Sequence, residues 1–195
     1  MLPDTRRQNT TGDGEIIDVE AGPRLWSGSL NIRPHYHGDA DAIAAQLELL
    51  TGAGASFFVS QATRKGPQSD PFGAVLGGFA PQISAISSDS KSLSISGLPV
   101  GYQLTQGDLL SFLYGSNPTR YAMHRIYSTK AADGNGVIDD LQVVPPIRAG
   151  AAVGSGVTLV DPKCKAKIVP QGATGPMQKP AISDGISLAW RQVLR

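Results

Sequence analysis

The sequence predicts a mainly β fold with one helix, and three observations carry that prediction. Short runs of alternating apolar and polar residues recur at intervals of roughly 8 to 15 residues, the rhythm of a sandwich or barrel. Gly (23) and Pro (14) together approach a fifth of the 195 residues, enough to turn the chain between many short strands. Only one stretch, Asp39 to Thr51, repeats its apolar residues with a helical period.

Element by element, residues 1 to 15 are polar and lack a periodic apolar face, so residues 1–23 are expected to form an extended arm that orders against a neighbour. From Leu25 the pattern changes: Trp26, Gly28, Leu30 and Ile32 fall on one side of an extended chain, and Ser27, Ser29, Asn31 and Arg33 on the other. The helix 39–51 follows, with Ile43, Leu47 and Leu50 at i, i+4 and i+7. Asp39 or Asp41 is expected to cap its start, and Gly52 to close it in the left-handed region. A lone amphipathic helix between strands must lay that stripe on a sheet. "ASFFVSQ" (Ala55 to Gln61) gives the next strand, and "RKGPQSDPFG" a loop built on Pro67 and Pro71.

The remainder reads as strands and turns. "SLSIS" alternates around Leu93 and Ile95. In "LPVGYQLTQGDLLSFLYG", Gly101 and Gly107 permit turns and Asp108 can accept from nearby backbone N–H groups. Leu109, Leu110, Phe112 and Leu113 are then expected to form a strand buried on both sides. "DGNG" at Asp133 to Gly136 predicts a hairpin joining the Met123 strand to "VIDDLQVV", which Pro145-Pro146 ends. "GVTLV", "CKAKIV" and "ISLAWRQVL" supply further strands, the lysines Lys163, Lys165 and Lys167 marking the wet side of an edge strand.

Charge and cysteine usage narrow the function classes. A net charge of +1 from 17 basic and 16 acidic residues argues against an electrostatic grip on nucleic acid or an anionic membrane. Neither nucleic-acid sequence recognition nor membrane insertion is expected, there being no apolar window of about 18 residues. The single cysteine, Cys164, cannot form an internal disulfide and reads as a small buried strand residue. His35 and His37 would share a face if extended, as two metal ligands would, but only His124 remains as a third histidine. "DGNGVIDD" mimics half of a calcium loop and lacks the closing Glu. The Gly strings lack the Lys-Ser/Thr of a phosphate loop, and no G-x-S-x-G elbow occurs. No catalytic, cofactor-binding or metal-binding residues are therefore assigned, and the chain is not expected to be an enzyme.

Taken in order, "RLWSGSLNI", "DADAIAAQLELLTG" with "ASFFV", "DPFG", "GLPVGYQLTQGDLLSFLYG", "RYAMHRI", "ADGNGVIDDLQVVPPI" and "ISLAWRQV" resemble the distal tail protein of long-tailed bacteriophages and of phage-derived gene transfer particles. The resemblance spans most of Arg24 to Val193 and rests on a rhythm of Trp, helix, Gly-Asp hairpin and double Pro. It implies a β-sandwich hub packed by one helix, formed by 24–79 and 161–195, with a small β-barrel inserted at 80–160. It further implies a six-fold ring of identical subunits between the tail tube protein and the tail-tip proteins, in a virion assembled in the bacterial host cytoplasm. The chain is shorter than many such hubs, which carry a separate receptor-binding domain. Residues 1–23 and the "RKGPQSDPFG" loop, lacking a core of their own, would gain order from an adjacent subunit, and low charge suits surfaces desolvated on assembly. The alternative is a carbohydrate-binding β-sandwich module, with Tyr36, Tyr102 and that loop contacting host surface glycans.

Overall fold

The computed structural model describes residues 6–20, 22–33, 35–180 and 182–194. Its strands are β1 (Arg6–Thr10), β2 (Ile16–Glu20), β3 (Ser27–Asn31), β4 (Phe57–Ser60), β5 (Gln82–Ile86), β6 (Ser92–Ser96), β7 (Gln103–Leu104) and β8 (Leu109–Tyr114). They continue as β9 (Arg120–Ile126), β10 (Lys130–Ala131), β11 (Ile138–Val144), β12 (Val157–Thr158), β13 (Lys163–Thr174), β14 (Met177–Gln178), β15 (Ser183–Asp184) and β16 (Ser187–Gln192). The helix α1 covers His37–Thr51. The fold is mainly β, as the turn-rich alternation requires. It divides into two compact units, Met1–Phe57 with Ala166–Val193, and Phe58–Lys165 with Leu194–Arg195.

In the first unit the expected extended arm is a hairpin: β1 and β2 pair antiparallel from Thr10 opposite Ile16 to Arg6 opposite Glu20. Thr11 makes the turn, its hydroxyl donating to the Glu15 carbonyl at 3.2 Å, with Gly14 in the left-handed region. The rest of the arm, residues 1–5 and 21, lies outside the described residues.

The main sheet runs β3-β16-β13-β4. Ala40, Ile43 and Leu47 of α1 pack with Ile32, Ile168, Ile186 and Leu188, so the helical stripe does lie on a sheet. Its ends differ from expectation. The helix starts at His37 with Tyr36 as N-cap and no side-chain cap, Asp39 standing in the first turn where the dipole favours an anion. Gly52 is extended (φ −60°), and the left-handed turn falls at Gly54. Beside it in the sheet, Gly28 lies opposite Trp190 because a Cβ there would stand 2.9 Å from the indole. β13 lies between β16 and β4, so its lysines mark a wet face of an interior strand. Alternation reports which face is wet; it is the same for edge and interior strands.

The second unit is built on the six-stranded order β12-β8-β9-β11-β6-β5. The two ends approach closure: Ile83 N donates to Ser155 O at 3.0 Å, Gly154 N to Ile83 O at 2.8 Å and Val157 N to Pro81 O at 2.8 Å. The sheet is thereby a nearly closed barrel whose ends are not left as bare edges. Leu93, Ile95, Leu110, Phe112, Ile126 and Leu141 are among the residues of its core. The predicted turn is present, with Asp133 Oδ1 accepting from the N–H groups of Asn135 and Val137, but it does not join the Met123 strand directly: β10, paired with β7, leads into it, and β9 meets β11 at Val143 and Val144. The strand of "DLLSFLYG" is not buried on both sides: Leu110 and Phe112 are buried, whereas Leu113 is 51 % exposed.

The "RKGPQSDPFG" loop is also ordered within this unit, without a neighbouring copy. Asp108, fully buried, accepts from Gln68 N at 3.0 Å and Thr105 N at 2.8 Å, and pairs with Arg64 at 3.1 Å. Asp70 accepts from Leu76 N at 2.9 Å and from the Tyr102 hydroxyl at 3.3 Å, and Pro67 is buried. The compact unit therefore begins at Phe58, ahead of the 80–160 span set for the insertion. Carboxylates seeking buried backbone donors tie down a loop that composition alone makes look unsupported.

Candidate functional site

On the second unit an open trough of about 730 Å³ runs past Leu76, Phe79, Leu113, Tyr121, Val157 and Lys163. Leu113 and Tyr121 face each other across β8 and β9, which places both on the outer side of the barrel wall. Tyr121 meets the Phe58 ring edge-on at 4.8 Å, and the Lys163 ammonium stands 5.7 Å from the centre of that ring. Ser111 anchors Lys163 from below, its hydroxyl accepting from Lys163 N at 3.2 Å. Among the described lining residues Lys163 alone is charged.

Beside the trough the segment 71–81, "PFGAVLGGFAP", contains no charged residue. Phe72 is 88 % exposed, and Val75 and Phe79 are exposed as well. Asp70 holds the base of this segment. Burial raises its carboxyl, but N–H donation from Leu76, Val75 and Ala74, with the Tyr102 hydroxyl, outweighs burial and leaves it below the usual carboxylate range. On Tyr102, burial and the facing Asp70 charge both push the phenol upward. The pair is a buried fastening.

On the first unit the β1–β2 hairpin pairs with no other strand among the described residues, and from Arg7 to Val19 every residue but the half-buried Thr11 is exposed. Ile16, Ile17 and Val19 are 62 %, 50 % and 58 % exposed. Trough and hairpin are two apolar surfaces that the separate cores do not absorb.

The residues singled out from the sequence go elsewhere. His37 opens α1 and its Nδ1 lies 2.7 Å from the Ser183 hydroxyl, while His35 bridges Ser183 through its backbone, so the two do not share a strand face. Among the described residues no group of three or more His, Cys, Asp or Glu is arranged to hold a metal ion. His124 lies inside the barrel, stacked on Phe112 at 5.3 Å, its Nδ1 2.7 Å from the Pro145 carbonyl and its Nε2 buried without a partner. Cys164 is buried, and burial pushes its thiol up to about 12, far from a reactive thiolate.

Of the two aromatics proposed for glycan contact, Tyr36 is 74 % exposed, whereas Tyr102 is buried on Asp70 and closed to a ligand. Phe58, Phe72, Phe79 and Tyr121 were not singled out from the sequence, and Leu113 was expected to be buried. The uncharged eleven-residue run at 71–81 was a signal for the second and third of these. Among the described residues no helix is long and apolar enough to cross a membrane. No known protein family matches the chain, and no curated protein matches it.

Proposed function

We propose that the chain is a structural protein of a bacteriophage tail, whose copies form a ring at the distal end of the tail tube and join it to the tip. The observation that carries this reading is the β1–β2 hairpin, a two-stranded sheet with exposed Ile16, Ile17 and Val19 that, among the described residues, pairs with no third strand. Two strands alone are marginal in water, so such a hairpin gains its order from a neighbour. The order of motifs from "RLWSGSLNI" to "ISLAWRQV" supports the tail, and the trough supplies a second apolar surface suited to assembly. A function of this kind needs shape and burial, and no reacting group.

The test is the assembly state of the purified full chain, by light scattering coupled to gel filtration and by negative-stain imaging, alone and with a tail tube protein added as template. Annuli of uniform diameter are the expected result. A chain that stays monomeric at all concentrations, with and without the tube protein, overturns the reading.

A further inference from the structure

We propose that the loop 71–81 is a shallow lipid contact, Phe72, Val75 and Phe79 entering the boundary between headgroups and acyl chains of a neutral bilayer. This goes beyond the ring reading and does not rest on it.

The side chains concerned are ones the fold does not use. Leu76 fixes the loop in the barrel core, and Gly73 lies so close to Val160 that a Cβ there would stand 2.7 Å from Cγ2. Phe72, Val75 and Phe79 are left 88 %, 58 % and 54 % exposed. Most of the loop's amides are already paired within the chain. Asp70 accepts from Ala74, Val75 and Leu76, and Gly73 N donates to Asp70 O at 3.3 Å. Gly77 N donates to Gly73 O at 2.9 Å and Phe79 N to Leu76 O at 3.0 Å, while Pro71 and Pro81 have no amide to satisfy. Internal pairing of the backbone is what entry into a phase without water demands.

Composition selects the occupant. From Pro71 to Pro81 no side chain carries a charge or a hydrogen-bonding group. A protein partner is held by directional bonds, about one for each 100–200 Å², over roughly 800 Å² on each side. The three exposed side chains offer on the order of 400 Å², most of it from the two rings. A bilayer requires neither direction nor register, and a few apolar side chains at its boundary suffice. The trough that Phe79 also lines is concave, so a flat bilayer leaves it to a protein partner. Charges near the loop are mixed: Lys65 and Asp161 meet through their backbones at 2.6 Å, and Lys163 lines the trough. That balance gives little hold on an anionic surface and selects a neutral one. The expectation against membrane insertion concerned crossing, which takes about 18 apolar residues or more; a boundary contact takes no such window.

Flotation of the full chain with phosphatidylcholine vesicles tests this. Co-flotation is expected, unchanged when phosphatidylserine is mixed in and when salt is raised. Phe72→Asp should lower the partition about tenfold, with Tm unaltered because the ring is 88 % exposed. Phe72→Trp should give vesicle-dependent emission that lipids brominated on their acyl chains quench, beyond the change seen for Trp26 and Trp190 in the native chain.

No flotation on phosphatidylcholine, or flotation that needs phosphatidylserine and vanishes in salt, overturns the proposal. Equal flotation of Phe72→Asp places the contact elsewhere and overturns it too. Annuli that form with the native chain and fail with Phe72→Asp, in protein that ignores vesicles, make the loop a subunit contact: the lipid reading falls and the ring stands. Flotation lost in Phe72→Asp, in a chain that never forms annuli, supports the lipid contact and ends the ring.

Discussion

His124 donates its Nδ1–H to the Pro145 carbonyl and leaves Nε2 among barrel side chains with no acceptor, so a second proton would sit there as an unpaired donor. Burial, helped by the nearby Arg148 charge, pushes its pKa down to about 4 against an ordinary 6.5. Between those values the unfolded chain binds the extra proton, so stability rises with pH across that window. The contribution is complete above about 6.5, falls by about 3 kcal/mol as pH drops to about 4, and changes no further below that. Urea midpoints at pH 7 and pH 4.5 should show the loss in the native chain and a much smaller one in His124→Phe; an equal loss in both would place the acid sensitivity elsewhere. Asp70 acts lower in pH, because its carboxyl is held beneath the ordinary 3.8 and its stabilisation is lost only in stronger acid. Gly28 is constrained by space: a Cβ would stand 2.9 Å from Trp190 Cζ2 and 3.1 Å from Cε2. Gly28→Ala should cost about 1–3 kcal/mol by displacing the indole, seen as a lower Tm with a shifted tryptophan emission. An unchanged Tm would show that the sheet absorbs the methyl without strain.

At the scale of elements, the loop 64–73 shows what a carboxylate can organise. Removing Asp108 strands two part-buried backbone amides and the Arg64 guanidinium, a loss of about 2–3 kcal/mol. Asp108→Ala is thus expected to speed chymotryptic cleavage at exposed Phe72 while the rest of the barrel still melts cooperatively; unchanged cleavage would mean that Asp70 alone suffices. The strand pattern itself was legible, because "SLSIS", "RYAMHRI" and "ISLAWRQV" carry period-two alternation that sheets need. So was the helix stripe of Ile43 and Leu47, and the turn at Asp133, where side-chain chemistry is local. What sequence hid is everything fixed by distant partners. Leu113 reads like Leu110 until the barrel places one outside and one inside, and Lys163 reads as an edge guard until β4 is seen beside β13. The trough is hidden for the same reason, since Leu76, Leu113, Tyr121 and Lys163 come from four separate segments.

For the whole molecule, the two units differ in how much core each has. The barrel unit buries a large cluster that includes Ile83, Leu93, Ile95, Leu104, Leu110 and Leu141. In the first unit the fully buried cluster is Ala40, Leu47, Ile186 and Leu188, with Ile32, Ile43, Phe57, Ile168 and Trp190 only partly covered. Stability follows buried apolar area, roughly 25 cal/mol per Å², so the first unit is the weaker one in an isolated chain. Local opening draws on the region with the fewest buried contacts, and amides there exchange without global unfolding. Native-state hydrogen exchange of the unassembled chain should accordingly give α1, β3 and β16 lower protection than β6, β8 and β9. Cys164 supplies an independent reading, because its buried thiol, with a pKa near 12, reacts with a thiol reagent only when β13 opens. Cys164 lies in the part of β13 that belongs to the barrel unit, so its labelling should track exchange of the barrel amides, not that of α1. Assembly that covers the arm would raise protection of β1 and β2 most, since those strands have the least to hold them in the single subunit. If α1 exchanges as slowly as β8 before any assembly, the small core is stiffer than its buried area allows, and the ordering of the two units proposed here is wrong.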